Sequence, residues 1–147
     1  MFTHAADHEM GIAWHNAHHE DKRKMNFDAA PHAVFTLPQI ASIGMTEAQA
    51  SQSHEILVGQ AQYADTAQSD VRVEPQGFAK AIVEKGTERI LGFHIIGPDA
   101  AILIQEVVQV VTQKAGYKAI LEAMHIFPAS TELIPETFSR LKERTKL

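Results

Sequence analysis

The chain has no cysteine in its 147 residues. That excludes disulfides, thiolate metal sites and redox-active thiols within it, and it fits a cytoplasmic protein. Long apolar runs are also missing. The longest, Ala100 to Ile104, is far too short to cross a bilayer, so no membrane partner is expected. No basic segment followed by an apolar one opens the chain, so no signal peptide is read there. Basic charge is not in excess: the formal net charge is −5, which argues against nucleic acid as a partner. Gly-rich phosphate motifs, a G-x-S-x-G elbow and carboxylates at metal-binding spacing are absent as well.

What is present is one domain's worth of ordinary globular sequence, 45% hydrophobic. Residues 2–18 read as a helix, weakened only at Gly11. Nine His occur in the chain, and His4, His8, His15, His18 and His19 crowd this helix. His4 and His8 share a face at i,i+4, as do His15 and His19. No third ligand stands at a zinc-like spacing, so a solvated polar face is the expectation and no metal site is assigned.

After the charged connector Asp21 to Asp28, the pattern turns to strands. Ala33 to Thr36 and Ile40 to Gly44 are short β-type runs around Leu37-Pro38. Thr46 and Gln49 stand at capping-box spacing before a short helix. Glu55 to Tyr63 is a further strand, and Ala64 to Pro75 is loop-like. Gly77 to Glu84 and Arg89 to Gly97 form the best strand pair, joined by a turn over Lys85 to Glu88. A strongly apolar helix follows Pro98 and runs to about Ala115, with Gly116 at a C′-like position. A shorter helix covers Tyr117 to Met124. A last helix runs roughly from Thr131 to Glu143, with Pro135 near its first turn. Hairpin-joined strands and surrounding helices predict an α+β fold with a mostly antiparallel sheet.

Three segments carry a resemblance. They are Phe35 to Glu47 (FTLPQIASIGMTE); Gly77 to Lys80 with Ile90 to Pro98; and the octet His125-Ile126-Phe127-Pro128-Ala129-Ser130-Thr131-Glu132. In this order they resemble the C-terminal dimerisation domain of the pyridine nucleotide-disulfide oxidoreductases, nearest to the dihydrolipoamide dehydrogenase and mycothione reductase branch. The resemblance covers essentially the whole chain. It implies that residues 1–24 are the tail of an FAD-binding region, with Thr3, His4 and Ala5 near the flavin, and that residues 25–147 are the dimerisation domain. It also implies a homodimer whose upstream domains bind FAD and NAD(P), with neither cofactor expected on the isolated chain.

The family pattern H-x-H-P-T-x-x-E implies an acid/base His before the Pro and a Glu that orients it. Here the first His aligns with His125, the Pro with Pro128 and the Glu with Glu132. The acid/base position is occupied by Phe127, and Ala129 replaces the Thr. A phenyl ring cannot transfer a proton, whereas imidazole does so near neutral pH. Catalytic roles are therefore expected only of Glu132 and His125, and flavin contact of Phe127 and Pro128.

Three readings of the change stand open. The parent's reaction does not use this acid/base, as in mercuric reductases and a ketone-carboxylating member of the family. Alternatively, His125 substitutes across the roughly 6–7 Å that separate i and i+2 in extended chain. The third is a slow or redundant enzyme. Read without the family pattern, Phe127 is a core aromatic before a turn, and Glu132 is a first-turn residue favoured by the helix dipole. A stand-alone non-catalytic dimerisation module and a His-rich metal-binding protein are the alternative functions.

Overall fold

The computed structural model describes residues 2–71 and 76–143. Six strands form one sheet: β1 (His32–Val34), β2 (Gln39–Gly44), β3 (Ile56–Gln62), β4 (Phe78–Glu84), β5 (Ile90–Gly97) and β6 (Lys142–Glu143). Their order is β1-β2-β5-β4-β3-β6, and every pairing is antiparallel. The expected α+β fold with an antiparallel sheet is the one observed.

Side chains alternate across the sheet, so a single register sorts residues onto two faces. Ala41, Ile43, Ala79, Ala81, Phe93 and Ile95 point into the main core. Two helices cover that face: α3 (Ala100–Thr112) over β2 and β5, and α5 (Leu133–Ser139) over β3 and β4. Leu103, Ile104 and Val107 of α3 and Leu133, Ile134 and Phe138 of α5 are buried in the same core. Gly59 lets α5 approach: a Cβ there would lie 2.2 Å from the Thr137 carbonyl oxygen. Gly97 plays the same part beside the Tyr63 ring, also at 2.2 Å.

The other face carries a cross-strand row, His32, Ser42, His94 and Lys80, with each residue paired to the next in register. It is partly covered by α2 (Glu47–Ala50), which caps with Thr46 and Gln49 as the sequence predicts. Glu47 forms an ion pair with Lys80. His94 Nε2 lies 3.0 Å from the Met45 carbonyl.

Outside these layers lie α1 (Thr3–His18), which has no fully buried residue, and the short α4 (Lys118–Leu121). Thr3–His18 matches the predicted N-terminal helix.

Several boundaries differ from expectation. The last helix stops at Ser139, and Lys142–Glu143 is instead an edge strand on β3. Lys85 pairs with Glu143 there, a tertiary contact that local helix propensity does not register. The apolar helix ends at Thr112, and its C′ residue is Lys114 (φ 56°), not Gly116. Lys114 N–H donates to the Val111 carbonyl and Ala115 N–H to that of Val110, which is the paired closure of a Schellman turn. The Ala64 to Pro75 stretch holds one-turn 3-10 helices at Tyr63–Asp65 and Ala67–Asp70; residues 72–75 lie outside the described residues.

Candidate functional site

The octet follows α4 and leads through a one-turn 3-10 helix, Ser130–Glu132, directly into α5. Pro128 fits this passage because its ring sets φ, and the Phe127-Pro128 bond is cis. Pro135, in the first turn of α5, costs no intrahelical donor.

The octet divides by exposure. Met124, just before it, is 100% exposed, Ile126 78% and Phe127 74%. Phe127 is thus not a core aromatic, contrary to the reading made without the family pattern. Folding normally buries such side chains, and Leu121, three residues before Met124, is 40% exposed as well. The second half of the octet is engaged within the chain. Glu132 Oε1 accepts from the Ala129 N–H at 2.7 Å, and Oε2 accepts from the Ala67 N–H at 3.2 Å. Ser130 Oγ donates to Gln68 Oε1 at 2.8 Å.

His125 is turned into the chain. Its Nε2 lies 2.7 Å from Glu106 Oε1 on α3, and its Nδ1 lies 3.0 Å from the Ala123 carbonyl. Both ring nitrogens are engaged, and the ring is half-buried while Phe127 is exposed. The two residues therefore do not share surroundings, as an extended i,i+2 pair would. Nor does any recorded bond join His125 to Glu132.

Two of the remaining expected site residues, Thr3 and His4, fall in a second place. Phe2, Thr3 and His4 line a cleft of about 480 Å³ with His32, Phe35, Ala101 and Ile104. Thr3 and His4 are brought together there; Ala5 is half-buried but does not line it, and neither do Phe127 and Pro128. His4 Nε2 is 2.7 Å from the Pro31 carbonyl, and the Phe2 ring stacks on His4 and His32. Residues of the first turn of α1 form one wall, with no acidic side chain in that turn. The unpaired N–H groups of that turn give the wall a positive end. Sequence reasoning missed Phe35 and the first turn of α3 as parts of this cleft, because a cleft between distant segments has no local signature.

The histidines of α1 do not form one solvated face: His4 lines the cleft, and the His15 side chain is only 13% exposed. His15 and His19 stack with ring centroids 4.3 Å apart, and His15 Nε2 lies 3.3 Å from Asp21 Oδ2. Among the described residues no three His, Asp or Glu side chains are grouped as a metal ion requires.

His94 and Glu84 are among the titratable groups shifted elsewhere in the chain. Burial lowers His94, and the Met45 carbonyl opposes that only in part. Glu84 is held below the usual carboxylate range by the Thr87 hydroxyl and by His54, whose Nδ1 is 2.6 Å away.

Comparison with known proteins decides the family. Residues 30–138 match the pyridine nucleotide-disulphide oxidoreductase dimerisation domain. The chain belongs to that family. It is 30% identical over 145 residues to a dihydrolipoyl dehydrogenase of Synechocystis, covering 95% of this chain and 30% of that protein. It is 38% identical over 115 residues to a mycothione reductase of Mycobacterium tuberculosis, covering 74% of this chain and 25% of that one. Among solved structures, the HOCl-induced flavoprotein disulfide reductase RclA from Escherichia coli matches with a TM-score of 0.84 at 27% identity. That match covers 95% of this chain and 32% of RclA. The dimerisation domain thus spans about a third or less of these relatives. Among its described residues no helix is long and apolar enough to cross a membrane.

Proposed function

We propose that this dimerisation domain serves a homodimeric, FAD-dependent oxidoreductase that exchanges electrons between NAD(P)H and a disulfide or related acceptor. The observation that carries this is the family match over residues 30–138, which ends inside the helix that follows the octet. In this reading residues 1–24 are the tail of the FAD-binding region, and residues 25–147 form the dimerisation domain. The family match begins only at residue 30, which supports that division.

The cleft at Thr3 and His4 suits one edge of a flavin ring. Its walls are largely apolar, and the open N–H groups of α1 offer donors to an electron-rich carbonyl. FAD supplies the two-electron carrier when bound. The upstream domains of the same polypeptide would hold the rest of it, as well as the NAD(P). Phe127 and Pro128, which do not line that cleft, would instead face the partner subunit's flavin. Met124, Ile126 and Phe127 would be buried between subunits, with two-fold symmetry as the simplest closure. Cytoplasmic placement belongs to the same reading and is consistent with the lack of cysteine.

The mechanistic consequence concerns proton transfer. Phe127 offers none, and His125 is bonded to Glu106 and the Ala123 carbonyl. The surface presented to the partner's reacting groups is therefore aprotic at the acid/base position. A reaction at that centre must draw its proton from solvent or substrate, or use none.

Three experiments test the proposal. The reading frame upstream of Met1 should encode G-x-G-x-x-G motifs and a paired-Cys segment; a true start at Met1 defeats it. Sedimentation of the chain at tens of micromolar should show dimers, and a clean monomer counts against the interface. In the full-length protein Phe127→His should raise disulfide reduction, and no change would indicate that the acceptor is not a disulfide.

A further inference from the structure

Glu132 occupies the position at which the family's Glu orients an imidazole, and here there is no imidazole to orient. Its carboxylate is nevertheless not idle. The Tyr63–Asp65 and Ala67–Asp70 turns form a segment whose base is fastened independently of the octet. Tyr63 Oη donates to the Pro98 carbonyl at 2.6 Å, and Asp65 Oδ2 accepts from Arg140 at 2.7 Å. The middle of the segment has a different problem. A short helix leaves its first N–H groups unpaired, and the residue before Ala67 would ordinarily cap them. Thr66 does not, because its buried hydroxyl donates to the Tyr63 carbonyl at 2.8 Å. Glu132 Oε2 takes the Ala67 N–H in its place, while Oε1 takes the Ala129 N–H at the start of the octet's own turn.

We infer that Glu132 is a positioning residue in this chain: one carboxylate caps two 3-10 turns, one in its own segment and one across the fold, and so locks residues 63–70 to residues 125–132. Each oxygen faces an N–H donor, so the site requires two acceptors. Carboxylate supplies both, and an amide supplies only one. The Ser130–Gln68 bond closes the same seam. The Ala67–Asp70 turn and the turn that follows Phe127 and Pro128 are thereby held as one body. Placing that body beside a partner's active site rests on the function proposed above; the capping itself does not.

The test is a pH titration of this chain followed by NMR at the Ala67 and Ala129 amides and the Glu132 side-chain carboxyl carbon. All three signals should follow one titration curve, since both amides donate to the same carboxylate. Glu132→Ala should lower hydrogen-exchange protection of both amides about tenfold or more, as loss of bonds to a charged acceptor implies. Glu132→Gln should lower at least one. Phe127→His should leave both amides titrating with Glu132. An Ala67 amide that ignores the Glu132 titration, or that is released when imidazole is restored at 127, overturns the inference. The wild-type titration needs no substitution, so it stands even if a variant fails to fold. It also requires no flavin, so its outcome is separate from that of the oxidoreductase reading.

Discussion

Two phenylalanines on either side of the entry to α5 have opposite fates. Phe138 is 1% exposed and stacks between Phe93 and Tyr117, with ring centroids 5.5 and 6.1 Å away. Phe127 is 74% exposed. The first ring holds the helices to the sheet. The second contributes nothing comparable to the isolated fold, and the function proposed above gives it a place against the partner subunit. Residue type therefore does not separate core from surface here; the position of each ring relative to the sheet does.

Substitutions can break that contrast. Phe138→Ala removes a ring from the densest part of the core and should destabilise the chain by about 3–5 kcal/mol in chemical denaturation. A loss near that expected of a surface site would mean that the core lies elsewhere. Gly59→Ala probes the same layer from the sheet side. Its Cβ would meet the Thr137 carbonyl at 2.2 Å, so α5 must shift, at a cost of about 1–3 kcal/mol. Phe127→Asp is the counterpart: monomer stability should change by no more than about 0.5 kcal/mol. Self-association measured by sedimentation equilibrium should weaken about tenfold or more, as for a buried interface anchor. A change in stability with no change in association would reverse the roles assigned to the two rings.

The smallest effect concerns pH and the face opposite Phe138. Burial lowers His94 below its ordinary value of 6.5, so the folded state binds its proton less readily than the unfolded chain. The stability tied to neutral His94 is fully present above 6.5 and is lost as pH falls through 6.5 toward the lowered folded value. His94→Asn should flatten the denaturation midpoint across that window. An unchanged slope would remove His94 from the pH response.

Much of this was readable from the residues. The alternation in Gly77 to Glu84 and Arg89 to Gly97 specified a hairpin, and β4 and β5 pair as expected. Thr46 and Gln49 specified a cap, and it forms. Both are short-range features, set by periodicity or by bonds three residues apart. Lys142 and Glu143 were misread because their strand exists only through β3. The partner of Glu132 was unreadable because Ala67 lies 65 positions away. One of the three readings of the altered octet puts His125 on the side of Phe127; Glu106, 19 positions upstream, holds it elsewhere.

The sequence by itself thus determined the family, the antiparallel α+β plan, the lack of any thiol chemistry within the chain and the presence at position 127 of a phenyl ring, which cannot transfer a proton. Those properties reside in residue identity, spacing and alternation, which local chain geometry reads directly. Only the tertiary structure decided which Phe is buried, which cleft collects Thr3 and His4, and what Glu132 binds. Each of these depends on segments far apart in sequence, which meet only because burying the apolar face of the sheet under α3 and α5 brings them together.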